Sequence, residues 1–343
     1  MTKEYLFGKN LNELIVVTRK LGMPGYSARQ IADWLYGKET NSIDEMTNLS
    51  KSMRDLLSRD YEYGLSQPVN SSESRDGTKK YLFRVSGEKY IESAFIPDRE
   101  RFTLCVSSQA GCKMGCVFCM TGKQGFQGNL NSNEILNQFR SIPEFKKLTN
   151  IVYMGMGEPL DNFNEVMKSL EILTADWGYG WSPYRITVST VGIKDKIPEF
   201  LERTRCNLAV SIHSPFDDER RMLMPVQKTN SINDILSIIR NYDHNKQRRI
   251  SFEYILFKGI NDSPRHIKEL LRLLNGIRCR INLIRFHPVP GSDLESPGNE
   301  EVINFRNALT EKGIHATIRA SRGLDIQAAC GLLSTLEQNK TIQ

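Results

Sequence analysis

Apolar positions along the 343-residue chain change their period from one region to the next. Between about residues 28 and 57, Ile31, Trp34 and Leu35 recur at helical spacing, and Met46, Leu49, Met53, Leu56 and Leu57 resume it after a polar break. That pattern predicts a small unit of amphipathic helices. Residues 69–77, dominated by Ser, Asn and Gly, read as a loop or linker. Apolar runs at 81–85 and 90–95 flank Ser86-Gly87 and predict a β-hairpin. Beyond residue 99, short apolar runs recur at 102–106, 151–154, 184–189, 206–212, 250–257, 281–286 and 316–318. Helical stretches at 132–139, 163–173, 232–241, 264–274 and 300–312 lie between many of them. Continuous apolar strands alternating with helices predict a parallel sheet with its outer face covered, in an α/β fold. Seven such strands suit a partial β/α barrel. The expected organisation is a helical accessory domain over 1–75, a hairpin extension over 76–98 and the partial barrel over 99–343.

Composition narrows the class without naming a function. Hydrophobic residues make up 39% and charged residues 25%, with a mean hydropathy of -0.41, which fits a folded chain rather than a disordered one. No run of 18 apolar residues occurs, and the start lacks the pattern of a secretion signal, so a cytoplasmic protein without a membrane span is expected. A net charge of +6 permits a polyanionic partner without demanding one. Seven cysteines, four of them between Cys105 and Cys119, suit a reduced compartment and an inorganic site better than a disulfide framework.

The distinctive polar clusters sit at or just beyond strand ends: Ser107-Ser108, residues 155–158, Ser189-Thr190, residues 211–213 and His287-Pro288. In a β/α barrel the loops after the strands converge on one face and build the active site. One of these loops carries Cys112, Cys116 and Cys119 in a C-x3-C-x2-C arrangement containing Gly111 and Gly115. Three thiolates within eight residues make a soft sulfur site. They suit a cluster with one iron left open, or a zinc knuckle completed by a distant His or Cys.

C-x3-C-x2-C after the first strand of a βα barrel resembles the signature of radical S-adenosylmethionine (SAM) enzymes. The likeness extends to the stretch from Leu104 to Cys112, to Met154-Gly155-Met156-Gly157-Glu158-Pro159, to Ser189-Thr190-Val191-Gly192, to Ser211-Ile212-His213 and to Asp325-Ile326-Gln327-Ala328-Ala329-Cys330-Gly331. Together these are similar to the RlmN/Cfr family of RNA adenosine methyltransferases, nearest the RlmN branch, over roughly residues 90–331 and in the helical start. The resemblance implies a [4Fe-4S] cluster on Cys112, Cys116 and Cys119, whose open iron chelates SAM and cleaves it reductively to a 5'-deoxyadenosyl radical. It implies that Gly157, Glu158, Ser189, Ser211, Ile212 and His213 hold SAM. It implies methylation of adenosine C2 in 23S rRNA and, in several bacteria, in tRNA, fed with electrons by a reductase or a flavodoxin or ferredoxin.

Three residues receive roles only through the resemblance. Cys330, which sequence alone reads as a packed cysteine following a helical start at 325–329, becomes the methyl carrier: its S-methyl group loses a hydrogen and adds to the adenine carbon. Cys105, otherwise a buried strand cysteine, assists proton loss and resolves the adduct through a transient disulfide with Cys330. Glu92, otherwise a solvated strand residue, competes with Cys105 as proton acceptor. The resemblance also puts His287 in the SAM-binding set, at the place of a family Asn-Pro whose amide contacts SAM; an imidazole can still make one hydrogen bond there but cannot reproduce both amide groups. His244, His266 and His315 show no metal-ligand spacing, and Cys206 and Cys279 read as inert. Lys146-Lys147 and residues 246–249 form short basic patches that could meet phosphates. Two other readings stay open: C8 methylation, as in the Cfr branch, and a non-catalytic iron-sulfur redox or scaffold protein. A monomer is the default expectation.

Overall fold

Ten strands join in one sheet: β1 (Asn70–Glu73), β2 (Lys79–Val85), β3 (Lys89–Asp98), β4 (Arg101–Cys105), β5 (Asn150–Tyr153), β6 (Ile186–Thr190), β7 (Asn207–Ser211), β8 (Ile250–Leu256), β9 (Cys279–Arg285) and β10 (Ala316–Ile318). The computed structural model describes residues 3–38, 40–242 and 250–335; the basic run 246–249 and His244 lie outside them. Spatial order runs β10-β9-β8-β7-β6-β5-β4-β3-β2-β1. Pairings from β4 to β10 are parallel, and those from β1 to β4 are antiparallel. The edges β1 and β10 are not hydrogen-bonded to each other, so the curved sheet is an open, partial barrel. All seven strands anticipated beyond residue 99 are present.

Two local expectations need correction. Residues 69–77 are not simply a loop, because β1 pairs with β2 through Ser71 opposite Tyr81 and Ser72 opposite Lys80. All four β1 residues are exposed, so no apolar alternation marks the strand. The helical start also contains the helix Leu11–Lys20, opened by an Asn10–Glu13 capping box. It precedes Ser27–Ala32, a π-helical turn at Asp33–Gly37, and Lys51–Asp60. Among the described residues no helix is long and apolar enough to cross a membrane.

The helical start is fastened to the barrel by polar contacts around an aromatic core. Tyr36 is buried, accepts from Gly8 N at 3.1 Å, donates to Lys9 O at 2.6 Å, and packs against Trp177 and Tyr179. From the helix Ser132–Arg140, Asn133 Nδ2 donates to Phe7 O at 2.9 Å and Gly64 O at 2.7 Å, and Ser132 Oγ donates to Gly8 O at 2.7 Å.

Asn133→Ala leaves the buried Phe7 carbonyl without this donor and should cost about 2 kcal/mol. Amide exchange across residues 5–64 is expected to accelerate while the barrel strands keep their protection. Equal acceleration everywhere, or none, would show that Asn133 is not what fastens the two parts.

Candidate active site

Side chains on a strand alternate between its two faces, and the parity of each parallel strand decides which residues meet inside the barrel. Arg101, Thr103 and Cys105 on β4, Ser251 and Glu253 on β8, Arg280 and Asn282 on β9 and Thr317 on β10 border one cavity of about 430 Å3. An adjoining cavity of about 150 Å3 is bordered by Cys112, Cys116, Cys119, Glu158, Ser189, Ser211 and His213. Glu253, Arg319 and Cys330 border both. Intervening residues such as Leu104, Val210, Phe252 and Leu283 point into the apolar core. Ile212 follows that outer parity: its side chain is in the core, whereas Ser211 and His213 on either side reach the smaller cavity.

Immediately after β4 comes the three-cysteine loop. Gly111 (φ +70°) must lack a side chain, because a Cβ there would collide with the Gly125 carbonyl. Cys112 N donates to that same oxygen at 3.1 Å, and Val117 N to Leu223 O at 3.1 Å. Burial pushes the Cys112 thiol up to about 12 and raises that of Cys116 as well. Among the described residues no three His, Cys, Asp or Glu side chains are grouped to hold a single metal ion. Three soft donors facing one chamber suit an iron-sulfur cluster with a fourth position left to a ligand.

The remaining wall of the small chamber is polar and tightly held. Glu158 follows Gly157, whose φ of +95° brings the backbone against Gln109. Its carboxylate accepts from Thr190 Oγ1 at 2.6 Å, Val191 N at 2.8 Å and Leu160 N at 3.0 Å. Burial nevertheless raises its pKa to about 7. His213 adopts a φ of +54°, and its Nδ1 accepts from Ile255 N at 3.0 Å, which leaves the neutral ring its proton on Nε2. Burial, with Arg220 nearby, lowers its pKa to about 3. Arg220 is itself buried and donates to the carbonyls of Val191 at 2.7 Å and Ser211 at 3.1 Å, clamping the loops after β6 and β7. His287 borders the larger cavity, not the smaller one. Its imidazole pKa is lowered by burial and by Arg285.

Cys330 follows a 3-10 turn at Leu324–Ile326; the helical start anticipated over 325–329 stops there because Gln327 takes a left-handed conformation. Met120 N, just past the last cysteine of the loop, donates to Gly331 O at 2.8 Å, and Thr121 Oγ1 to Leu333 O at 2.7 Å. Cys105 borders the same large cavity as Cys330, and burial with Cys330 nearby pushes its thiol up to about 12. All seven cysteines are free thiols, so the disulfide anticipated between Cys105 and Cys330 is not a bond of this structure. Glu92, expected on sequence alone to be solvated, is 1% exposed. It accepts from Lys80 Nζ at 2.9 Å and from Ser334 N at 3.0 Å, so it grips the C-terminal segment and borders neither cavity.

Arg220, Glu253 and Arg319 escaped the sequence reading. Arg319 Nη1 contacts Met154 Sδ at 3.1 Å, and its cation is favoured by Cys330, Glu253 and Cys105. Glu253 Oε1 accepts from Asn282 Nδ2 at 2.7 Å, while its Oε2, fully buried, has no partner. Only inward parity on β8 and past β10 could have singled out the last two. Lys146-Lys147 lies exposed in a 3-10 turn, apart from both cavities.

Glu158 carries a measurable signature. Its folded pKa of about 7 stands above the ordinary 4.5, so between those values the folded chain binds the more protons. Stability should therefore fall by about 3 kcal/mol as pH rises through that window. In cluster-free protein, denaturant midpoints of Glu158→Gln should lack that slope, whatever its constant offset. Parallel slopes would refute the buried ionisation.

With this geometry in view, the comparisons with known proteins are consistent. Residues 106–274 match the family model described as Radical SAM superfamily, and residues 5–62 match the Ribosomal RNA large subunit methyltransferase N-terminal domain. The chain is 57% identical over 341 residues to the probable dual-specificity RNA methyltransferase RlmN of Bacteroides fragilis strain YCH46, covering 99% of each. It is 44% identical to the dual-specificity RNA methyltransferase RlmN of Syntrophus aciditrophicus, covering 95% of this chain and 94% of that one. A crystal structure of a radical SAM methyltransferase from Sphaerobacter thermophilus superposes with a TM-score of 0.89 at 38% identity, over 96% of this chain and 99% of that one. The resemblance read from the motifs is borne out, and the chain belongs to the RlmN family of radical SAM proteins.

Proposed function

We propose that this protein is a radical SAM RNA methyltransferase that places a methyl group on adenosine C2 of 23S rRNA and tRNA. The observation that carries the reading is the position of Cys330: one thiol borders both the three-cysteine chamber and the larger cavity beside Cys105. A methyl carrier needs access to the methyl donor on one side and to the acceptor base on the other, and no second cysteine but Cys119 borders both.

Cys112, Cys116 and Cys119 would hold the cluster, and Glu158, Ser189, Ser211 and His213 would line the SAM site. When bound, the [4Fe-4S] cluster and SAM supply the 5'-deoxyadenosyl radical. Glu158 accepts the SAM ammonium in its ionised form, and His213 offers a neutral donor that adds no charge beside a sulfonium. Cys330 would take a methyl group from one SAM and lose one hydrogen atom from that S-methyl group to the radical derived from a second; the methylene carbon on its sulfur would bond to adenine C2, and the odd electron of the adduct would pass to the bound cluster. Cys105 then assists proton loss and breakdown of the thioether link, with Glu92 reaching the site only through the C-terminal segment it holds. A transient Cys105–Cys330 disulfide would need reduction before the next turnover. The reading places the monomeric protein in the cytoplasm, with a reductase, flavodoxin or ferredoxin as electron source. It also places the accessory function in residues 1–75 and the extension in 76–98.

The test is anaerobic turnover with methyl-deuterated SAM and an rRNA fragment or tRNA, followed by nucleoside mass spectrometry. The product should be 2-methyladenosine carrying two deuteriums, and Cys330→Ala should abolish it. A product with three deuteriums, or normal yield from Cys330→Ala, would sink the carrier route; 8-methyladenosine would move the protein to the other branch.

A further inference from the structure

The larger cavity is more cationic than the proposed chemistry at its inner end requires. Arg101, Arg280 and Arg319 all border it, and among the described residues no carboxylate lies within ion-pairing distance of any of them. The neighbouring Arg322 shows the contrast, since it is paired with Asp98 at 3.2 Å. Burial and the neighbouring guanidinium groups of Arg319 and Arg280 lower the pKa of Arg101, with Asp98 acting weakly the other way. Glu253 compensates them only in part: Arg319 and Arg280 act on it from a distance, but no guanidinium nitrogen pairs with it, and burial raises its pKa. Like charges held together on a sheet are costly unless an anion joins them.

The shape of the donors selects the anion. Guanidinium groups present paired N–H groups that match the oxygens of a phosphoryl group. Ser251 Oγ accepts from Arg280 Nε at 2.8 Å and so keeps its own proton to donate. Arg101 and Cys105 share one face of β4 four residues apart, a separation of about 13 Å at about 3.3 Å per residue. Arg101 and Arg280 lie at the exposed starts of their strands, whereas Arg319 follows the end of β10 and lies with the thiols at the inner end. A single nucleotide fits that axis with its phosphate outward and its base inward.

The geometry points to a phosphate-binding site formed by Arg101 and Arg280, with the Ser251 hydroxyl beside them, that takes a backbone phosphodiester of the substrate RNA and so sets how deep the target base enters. This rests on the RNA methyltransferase reading. Phosphodiester and free phosphoryl anion share the same chemistry, so the test separates them.

Cluster-loaded, full-length protein is titrated with a stem-loop RNA carrying the target adenosine across a salt series. Arg101→Gln and Arg280→Gln should each weaken binding several-fold and reduce the slope of log affinity against log salt by about one. Arg280→Lys should retain most of the slope, which a folding defect would not allow. In a second arm without RNA, inorganic phosphate should raise the melting temperature of the wild type above that in chloride at equal ionic strength. The double variant Arg101→Gln/Arg280→Gln should lose that rise. Loss of the phosphate effect with an unchanged RNA slope would overturn the RNA assignment and leave a site for a free phosphoryl anion. No change in either arm would overturn the site. Failure of the methyltransferase reading is seen separately, as wild-type protein that binds the RNA in this way yet yields no methylated adenosine.

Discussion

The site depends on how residues 319–335 are held between the two ends of an open sheet. β10 delivers the chain at one edge, and the antiparallel strands at the other end receive it. Asp325 accepts from Ser74 Oγ at 2.5 Å, Gly323 N donates to Asp76 at 3.0 Å, and Arg322 pairs with Asp98. Further on, Ser334 N donates to Glu92, and Thr335 exchanges hydrogen bonds with Gln124 at 2.7 and 2.9 Å. Cys330 lies between these two sets of anchors. Its position is therefore a tertiary result: three separate parts of the chain, the hairpin, the cysteine loop and the last strand, must all be folded before the thiol faces both cavities.

Burying charge in a site of this kind is costly, and the chain meets the cost unevenly. Arg220 is fully buried, yet it donates to several carbonyls and to Gln227, so its role is to tie loops together. Glu158 accepts three hydrogen bonds and still keeps a raised pKa. Desolvation outweighs three donors here because the carboxylate has no cation of its own beside it. That imbalance is what a bound ammonium would correct. Glu253 and three of the four arginines of the larger cavity, Arg101, Arg280 and Arg319, are likewise left without an ion pair among the described residues, whereas charges away from the cavities, such as Glu144 with Lys79 at 3.0 Å, are paired internally.

Much of the barrel was legible because its strands are continuous apolar runs and its helices are not. The cysteine loop was legible because three thiols in eight residues have little other use. What escaped has physical causes. β1 is all-polar and exposed on its outer strand, so it carries no alternation to read. The helix Leu11–Lys20 is short and partly exposed, with only Leu14, Val17 and Thr18 buried. Glu92 looked solvated because a strand residue's fate depends on what covers it, and here the cover is Ser334, 242 positions away in sequence. Ile212 sits between two cavity residues in the motif, but side-chain parity sends it to the opposite face. A motif names a segment; only the register of the strand says which of its side chains arrive.

Two chambers that meet at Cys330 also constrain how the proposed reaction is ordered. Even if donor and acceptor occupied one space, the methyl group could not pass directly from a sulfonium to a carbon that is not a nucleophile. Cys330 and Arg319 stand where the chambers meet. Loading the thiol from one side therefore need not await the base on the other, and the acceptor carbon, which has no nucleophilic lone pair to attack a sulfonium, is never asked to do so. Arg319 keeps a fixed positive charge beside both Cys105 and Cys330. Any thiolate formed at either sulfur during breakdown of the adduct is stabilised by that cation, while a neutral thioether gains nothing from it. The same guanidinium thus favours the charged steps at the two sulfurs over the resting, neutral ones, and it does so from a position that neither the cysteine motif nor the strand pattern marks.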